Sequence, residues 1–240
     1  MRVEARPGVF INIFTTHLQA SYVYETPEEH YPNYHSRLEQ IVMLHRFISS
    51  KLRLFNESRT LSILCGDMNV DALGSDYPFD FLNNLLVPPI TPLKDLPLPS
   101  LNEYAMLVSI FNRENSDVEL FNPCLQATGT FPITYGDVIL HEDGVKELPF
   151  EEYLTHKIDH CSKQSLDYVF ELRPKGSNSL ASFEVIEESV RVKKYNKGIG
   201  HLKQLSDHYA MMAVLKETAP QGAPNSQGSP SEKNRLNSSN

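Results

Sequence analysis

Three short runs in this chain place carboxylate, amide and imidazole groups where strands should end. They are Thr16-His17-Leu18-Gln19-Ala20, Gly66-Asp67-Met68-Asn69-Val70 and Ser206-Asp207-His208-Tyr209. Asp67 and Asn69 stand two positions apart after Gly66, so both side chains can face one side of a cleft. A carboxylate there can bind a divalent cation or take a proton, and an amide can hold a phosphoryl oxygen without charge repulsion. His208 titrates near neutral pH and suits a general base, best when a carboxylate fixes its tautomer. Asp167, in Leu166-Asp167-Tyr168, is the candidate for that task, on a strand expected to neighbour the last one. Each piece alone has a plainer reading. Gly-Asp-x-Asn is also an ordinary Asx-rich turn, Ser-Asp-His also suits a surface pair at a strand entry, and His17 also suits a hydrogen-bonded structural role. Their joint occurrence in this order favours chemistry.

The elements that must position these groups follow from periodicity. Residues 9–15 form a β-branched and aromatic run that delivers His17 at its end. Residues 20–33, rich in Tyr, Pro and Glu, read as a loop. From Tyr34 to Leu54 the pattern is helical, with Leu38, Ile41, Val42, His45, Ile48 and Leu52 on one stripe. Residues 61–65 form the strand stopped by Gly66. A short helix is expected over 79–86, and 87–100 carries five prolines and reads as a loop or linker. Residues 103–111 read as helix and 122–149 as irregular, loop-like chain. Strands are expected at 166–172, 183–192 and 209–215. The whole suggests a layered α/β (α+β) domain over residues 1–216 with a mixed sheet. Residues 217–240, rich in Pro, Gly, Ser, Asn and Gln, are expected to be a disordered tail.

At 240 residues with 40% hydrophobic and 22% charged side chains, the chain can bury one substantial core. A net charge of −8 argues against nucleic-acid binding by bulk attraction, though not against a nuclease whose metal handles the phosphate. No run approaches the roughly 20 apolar residues of a membrane span. Cys65, Cys124 and Cys161 are few and odd in number, against a disulfide framework. The start carries no apolar signal-peptide core. A soluble or membrane-peripheral protein is expected, in the cytoplasm rather than secreted. His156, His160 and Cys161 offer a zinc clamp if helical, but without a fourth ligand at finger spacing. Tyr22, Tyr24, Tyr31 and Tyr34 suit loop anchoring, or contact with a lipid interface or a base.

The motifs together resemble the endonuclease/exonuclease/phosphatase superfamily, the deoxyribonuclease-like αββα sandwich, and within it the neutral and bacterial-type sphingomyelinases. The resemblance covers about Val9 to Leu215 and extends to Arg37, Gln40, Phe47 and Ile48 on the helix. It implies a magnesium-dependent phosphodiesterase converting sphingomyelin at a membrane surface to ceramide and phosphocholine. By resemblance His208 is the general base, Asp167 holds it, and Asp67 and Asn69 bind the phosphate. His17 stabilises charge or assists the leaving alkoxide, and Asp207 lies on the metal side. The same fold also serves nucleic acid, inositol phosphates and other phospholipids, and a non-catalytic binding remnant is a further reading. In the family, strands carrying an asparagine and the metal-binding glutamate precede the His-Leu motif. Only 16 residues precede His17, and nothing around Glu4 looks like the required strand. The expectation is therefore a partial chain or alternative start of a longer enzyme, with an incomplete sandwich and a normally covered sheet face exposed.

Overall fold

The computed structural model describes residues 1–21, 27–55, 60–74, 102–175, 183–195 and 200–217. The helix expected over 79–86, the proline-rich stretch 87–100 and the tail beyond 217 lie outside these residues, as do Tyr22 and Tyr24. Among the described residues no helix is long and apolar enough to cross a membrane.

The central element is a five-stranded mixed sheet in the order β1-β2-β3-β7-β4. Its strands are β1 (Arg2–Arg6), β2 (Val9–His17), β3 (Thr60–Asp67), β7 (Asp167–Pro174) and β4 (Val118–Phe121). β2 and β3 run parallel, joined through the long helix α1 (Pro27–Leu54), and the other pairings are antiparallel. Alternation along β3 and β7 divides two cores. Leu64, Tyr168, Phe170 and Leu172 face α1 and α2 (Glu103–Asn112), meeting Leu38, Ile41, Ile48, Leu107 and Phe111. Leu61, Ile63 and Val169 face the other way. They meet Val185 and Val190 of β8 (Phe183–Lys193), Leu215 of β9 (Ala210–Glu217) and Cys124 of α3 (Pro123–Thr128). β8 and β9 form a second, two-stranded sheet. The described layers are thus helices, sheet, sheet. The expected bare face is covered by the β8–β9 hairpin and α3 where β3 and β7 cross it.

The helical stripe is confirmed, since Leu38, Ile41, Val42, His45 and Ile48 are all buried. The start of α1 differs from expectation. The helix opens seven residues before Tyr34, at Pro27, because proline at the first helical position loses no hydrogen bond and is preset in φ. Tyr34 is a core residue whose hydroxyl meets Met106 Sδ.

Five further elements and one strand pairing depart from the sequence reading. β1 forms because Pro7-Gly8 turns the chain back, with Gly8 at φ 72°. Glu4 does therefore lie in a strand, but opposite Phe10, seven residues from His17 and so about 23 Å away. β4 and α3 are short and carry little periodicity. The stretch 122–149 also contains a hairpin of β5 (Val138–Leu140) and β6 (Glu147–Pro149). Lastly, β7 does not pair with β9; the two lie in different sheets.

Candidate active site

Register and pleat explain why distant residues converge. His17 is the parallel partner of Asp67, and Asp67 is the antiparallel partner of Asp167. The three occupy one row across β2, β3 and β7 at the end of the sheet. By the two-residue period, Asp67 shares the face of Leu61 and Ile63, and Asp167 that of Val169, which is the face covered by the second sheet. His208, two residues before β9, enters from that second sheet. The cleft therefore lies between the sheets at their common end.

The contacts are specific. His208 Nδ1 lies 2.8 Å from Asp167 Oδ2, and Nε2 lies 3.8 Å from Asp67 Oδ2. His17 Nε2 lies 3.4 Å from the same Asp67 oxygen. Since an ionised carboxylate can only accept, Nδ1 carries a proton towards Asp167, and Nε2 faces Asp67. Asn69 adopts φ 48°, donates its backbone N–H to Asp67 Oδ1 at 2.8 Å, and ties Nδ2 to Leu18 O at 3.0 Å. Asp207 stands apart, taking a bond from Ser206 Oγ at 3.3 Å. His17 is mostly exposed, whereas Asp67, Asp167 and His208 are largely covered.

Electrostatics follow from this crowding. Burial is the largest influence on His208 and lowers its pKa. The hydrogen bond and charge of Asp167, with Asp67 and Asp207 behind it, outweigh burial and leave the net value raised. Burial pushes the Asp67 carboxyl up, and the charge of Asp167 adds to this, against the pull of the Asn69 N–H and the two histidines. Among the described residues, Asp67, Asp167 and His208 are the group whose ligand atoms converge enough to hold a metal ion, all within 4.8 Å. His156 instead caps a 3₁₀ turn at Lys157–Asp159, and His160 Nε2 lies 3.2 Å from Thr155 O. The zinc clamp is not assembled.

A sphingomyelinase of Dictyostelium discoideum is 26% identical over 246 residues, covering 86% of this chain and 50% of that protein. The chain is sphingomyelinase-like in sequence. It spans about half the length of that relative. No family model matches the chain, and no solved structure matches it.

Several supporting residues escaped the sequence reading. Thr134 Oγ1 accepts from the N–H groups of Leu166 and Asp167, and its carbonyl accepts from Tyr209 N. With Tyr135, which bridges both Gln164 and His208, it fastens β7 to the segment carrying His208 in place of β7–β9 pairing. Tyr135 packs against the His208 ring at 4.8 Å. Asp71 Oδ1 receives Leu73 N and Ser165 N, bracing the loop after Asn69 against the start of β7. No spacing rule marks Thr134 or Tyr135. Asp71 repeats the Asx pattern two residues after Asn69 and was the findable one. Arg37 and Gln40 are positioning residues: Gln40 Oε1 receives Gln19 N at 2.8 Å, and Arg37 Nη1 donates to Gln19 O at 2.6 Å.

Gly66 sits where β2 and β3 must touch. At φ 128° a Cβ would stand 2.2 Å from Thr16 O. Gly66→Ala is expected to cost about 3 kcal/mol or more, from backbone strain together with a clash against main chain. Urea denaturation measures it; a loss within about 0.5 kcal/mol of zero, the usual range for surface changes, would refute the close approach.

Proposed function

We propose that this chain carries the general-base half of a phosphodiester hydrolase centre acting on sphingomyelin and releasing ceramide and phosphocholine. The observation that supports this best is the 2.8 Å Asp167–His208 pair, which holds a ring proton on Nδ1 and turns Nε2 towards Asp67. In this reading Nε2 takes a proton from water as the oxygen attacks phosphorus. The bond from phosphorus to the ceramide oxygen breaks, and the leaving oxygen takes up a proton. His17, exposed and within reach of Asp67, stabilises charge or assists that departure. Asn69 has one amide N–H bound to Leu18 O and offers the second to a phosphoryl oxygen.

The donor set fits a magnesium ion only as a partly hydrated one. Asp167 is engaged by His208, so Asp67 is the central carboxylate, and Asp207 is not among the converging ligand atoms. Magnesium accepts one or two carboxylates when substrate phosphate and water complete its shell. When bound it supplies Lewis acidity at the phosphoryl group. A second reading, a non-catalytic lipid-binding unit, is favoured by that sparse donor set.

The test is hydrolysis of sphingomyelin vesicles and of DNA by this chain, with magnesium and with a chelator. Phosphocholine release that requires magnesium and leaves DNA intact is expected. Cleavage of DNA without vesicle hydrolysis overturns the substrate. Vesicle binding without turnover replaces the enzyme reading with the binding one.

A further inference from the structure

The end of the sheet farthest from His208 carries a basic cleft that the reaction above does not use. It lies between the last turns of α1 and residues 113–117, which join α2 to β4. Its volume is about 190 Å³, roughly the share of six water molecules at about 30 Å³ each. Arg46, Arg53 and Arg113 line it, against one carboxylate, Asp117, already paired with Arg53. In a chain of net charge −8 this is a local excess of cations. Ser49 lies twelve residues beyond Arg37 on α1, about 18 Å along the axis from the loop that follows His17.

Two deeply buried side chains line the cleft with unpartnered polar atoms. His45 is 4% exposed and Ser49 7%, and neither His45 Nδ1 nor Ser49 Oγ has a hydrogen-bond partner. The Arg113 Nε–H is buried without an acceptor as well. Buried polar atoms of this kind are nearly always satisfied, so each calls for a group that completes it.

The chemistry of that group follows from the tautomer of His45. Ser116 Oγ donates its proton to Val118 O at 2.7 Å, so it must accept in its 2.9 Å contact with His45 Nε2. Nε2 then holds the ring proton and Nδ1 a bare lone pair. Burial, followed by the charge of Arg113, lowers the His45 pKa to about 4, so the ring stays neutral at physiological pH. A completing group must accept from Arg113 and from the Ser49 hydroxyl, and donate to Nδ1. A phosphate monoester offers anionic acceptors, and near its second pKa of about 6 roughly half of it is the monoanion, which carries one P–OH donor. Sulfate and carboxylate have no proton to give in that range.

We propose that this cleft binds the terminal phosphate of a phosphomonoester, carried either by a small soluble molecule or by a lipid headgroup. Arg46 and Arg113 supply charge, Ser49 donates, and His45 Nδ1 accepts, selecting phosphate over sulfate.

Calorimetric titration of the full chain with inorganic phosphate at about pH 6, where the monoanion is present and His45 is still neutral, and at constant ionic strength tests this. Saturable binding is expected, with sulfate about tenfold weaker or worse, since it forfeits a hydrogen bond and leaves Nδ1 unpaired. Ser49→Ala is expected to weaken phosphate about tenfold, and the exposed Arg46→Glu to weaken it further, while His208→Ala leaves it unchanged. Equal binding of sulfate overturns the assignment. So does loss of binding in His208→Ala with retention in Arg46→Glu, which would place the anion at the reaction centre. Sedimentation with phosphatidylcholine vesicles, with and without phosphatidic acid, separates the sources. Retention on acid-containing vesicles that Arg46→Glu removes assigns the lipid headgroup. Phosphate binding without such retention assigns a soluble ligand, and the absence of both overturns the site.

Discussion

His208→Ala is expected to reduce sphingomyelin hydrolysis by on the order of 10²–10⁴-fold, the range a positioned general base contributes. Asp167→Asn should lose a comparable factor, because the 2.8 Å bond that fixes the Nδ1–H tautomer loses its charge. The two differ in pH dependence. Only neutral imidazole can take a proton, and Asp167 leads the groups that hold the His208 pKa above 6.5 against burial. The rate should therefore rise with pH through a midpoint above 6.5. In Asp167→Asn burial remains and the main opposing group is gone, so that midpoint moves down. NMR titration of the His208 ring reads the same shift without requiring turnover. Stability has the matching sign. A raised folded-state pKa gives a contribution fully present below 6.5 and lost as pH rises through the folded value. An unshifted midpoint in Asp167→Asn would sink the pairing as the source of the raised pKa.

What could be read from the sequence was whatever a local period encodes. The α1 stripe is a helical repeat, and the strands ending at His17 and Asp67 are β-branched, aromatic and aliphatic runs, each with a polar residue inside, stopped by polar motifs. Those strand ends are the site, so the candidate residues were legible before their geometry was. The row His17–Asp67–Asp167 was not, because register is a relation between strands and leaves no mark within any one of them. The expected neighbour relation between the Asp167 strand and the last strand failed for the same reason. The two residues meet across sheets, and Thr134 holds them there through two bonds to its hydroxyl, which any hydroxyl in a loop could make, and one to its carbonyl.

Composition misled where one residue type serves two structures. Tyr- and Pro-rich chain before Tyr34 reads as loop, yet Pro27 opens α1. Short β4 and β1 lie at the two edges of the sheet, where few positions are buried and the pattern is thin. The His45 cleft was hidden differently. His45 was assigned to the apolar stripe and is indeed buried, but the unpaired Nδ1 exists only because Ser116, seventy-one residues away, fixes the ring.

Breaking the Arg37–Glu103 pair is expected to be among the most damaging changes to stability, at about 3–5 kcal/mol. Both side chains are buried, at 3% and 8% exposure, and Arg37 Nε reaches Glu103 Oε2 at 3.0 Å with a second contact through Nη2. Glu103 also opens α2, where the helix dipole favours negative charge. Glu103→Ala would leave a buried guanidinium without its counter-charge, and Arg37→Ala a buried carboxylate. Arg37 further donates to Gln19 O and Ser21 Oγ, so its loss frees the loop that follows His17. Glu103→Ala should then destabilise with little direct effect on that loop, whereas Arg37→Ala should destabilise and also loosen it. The double change Arg37→Met with Glu103→Leu should recover much of the stability, because it removes both charges together, but not the hold on Gln19. Urea denaturation of the three variants, with amide exchange at Gln19 and Ser21, separates the effects. A single-variant loss under about 1 kcal/mol, the worth of an exposed pair, would mean that this pair is not buried in solution.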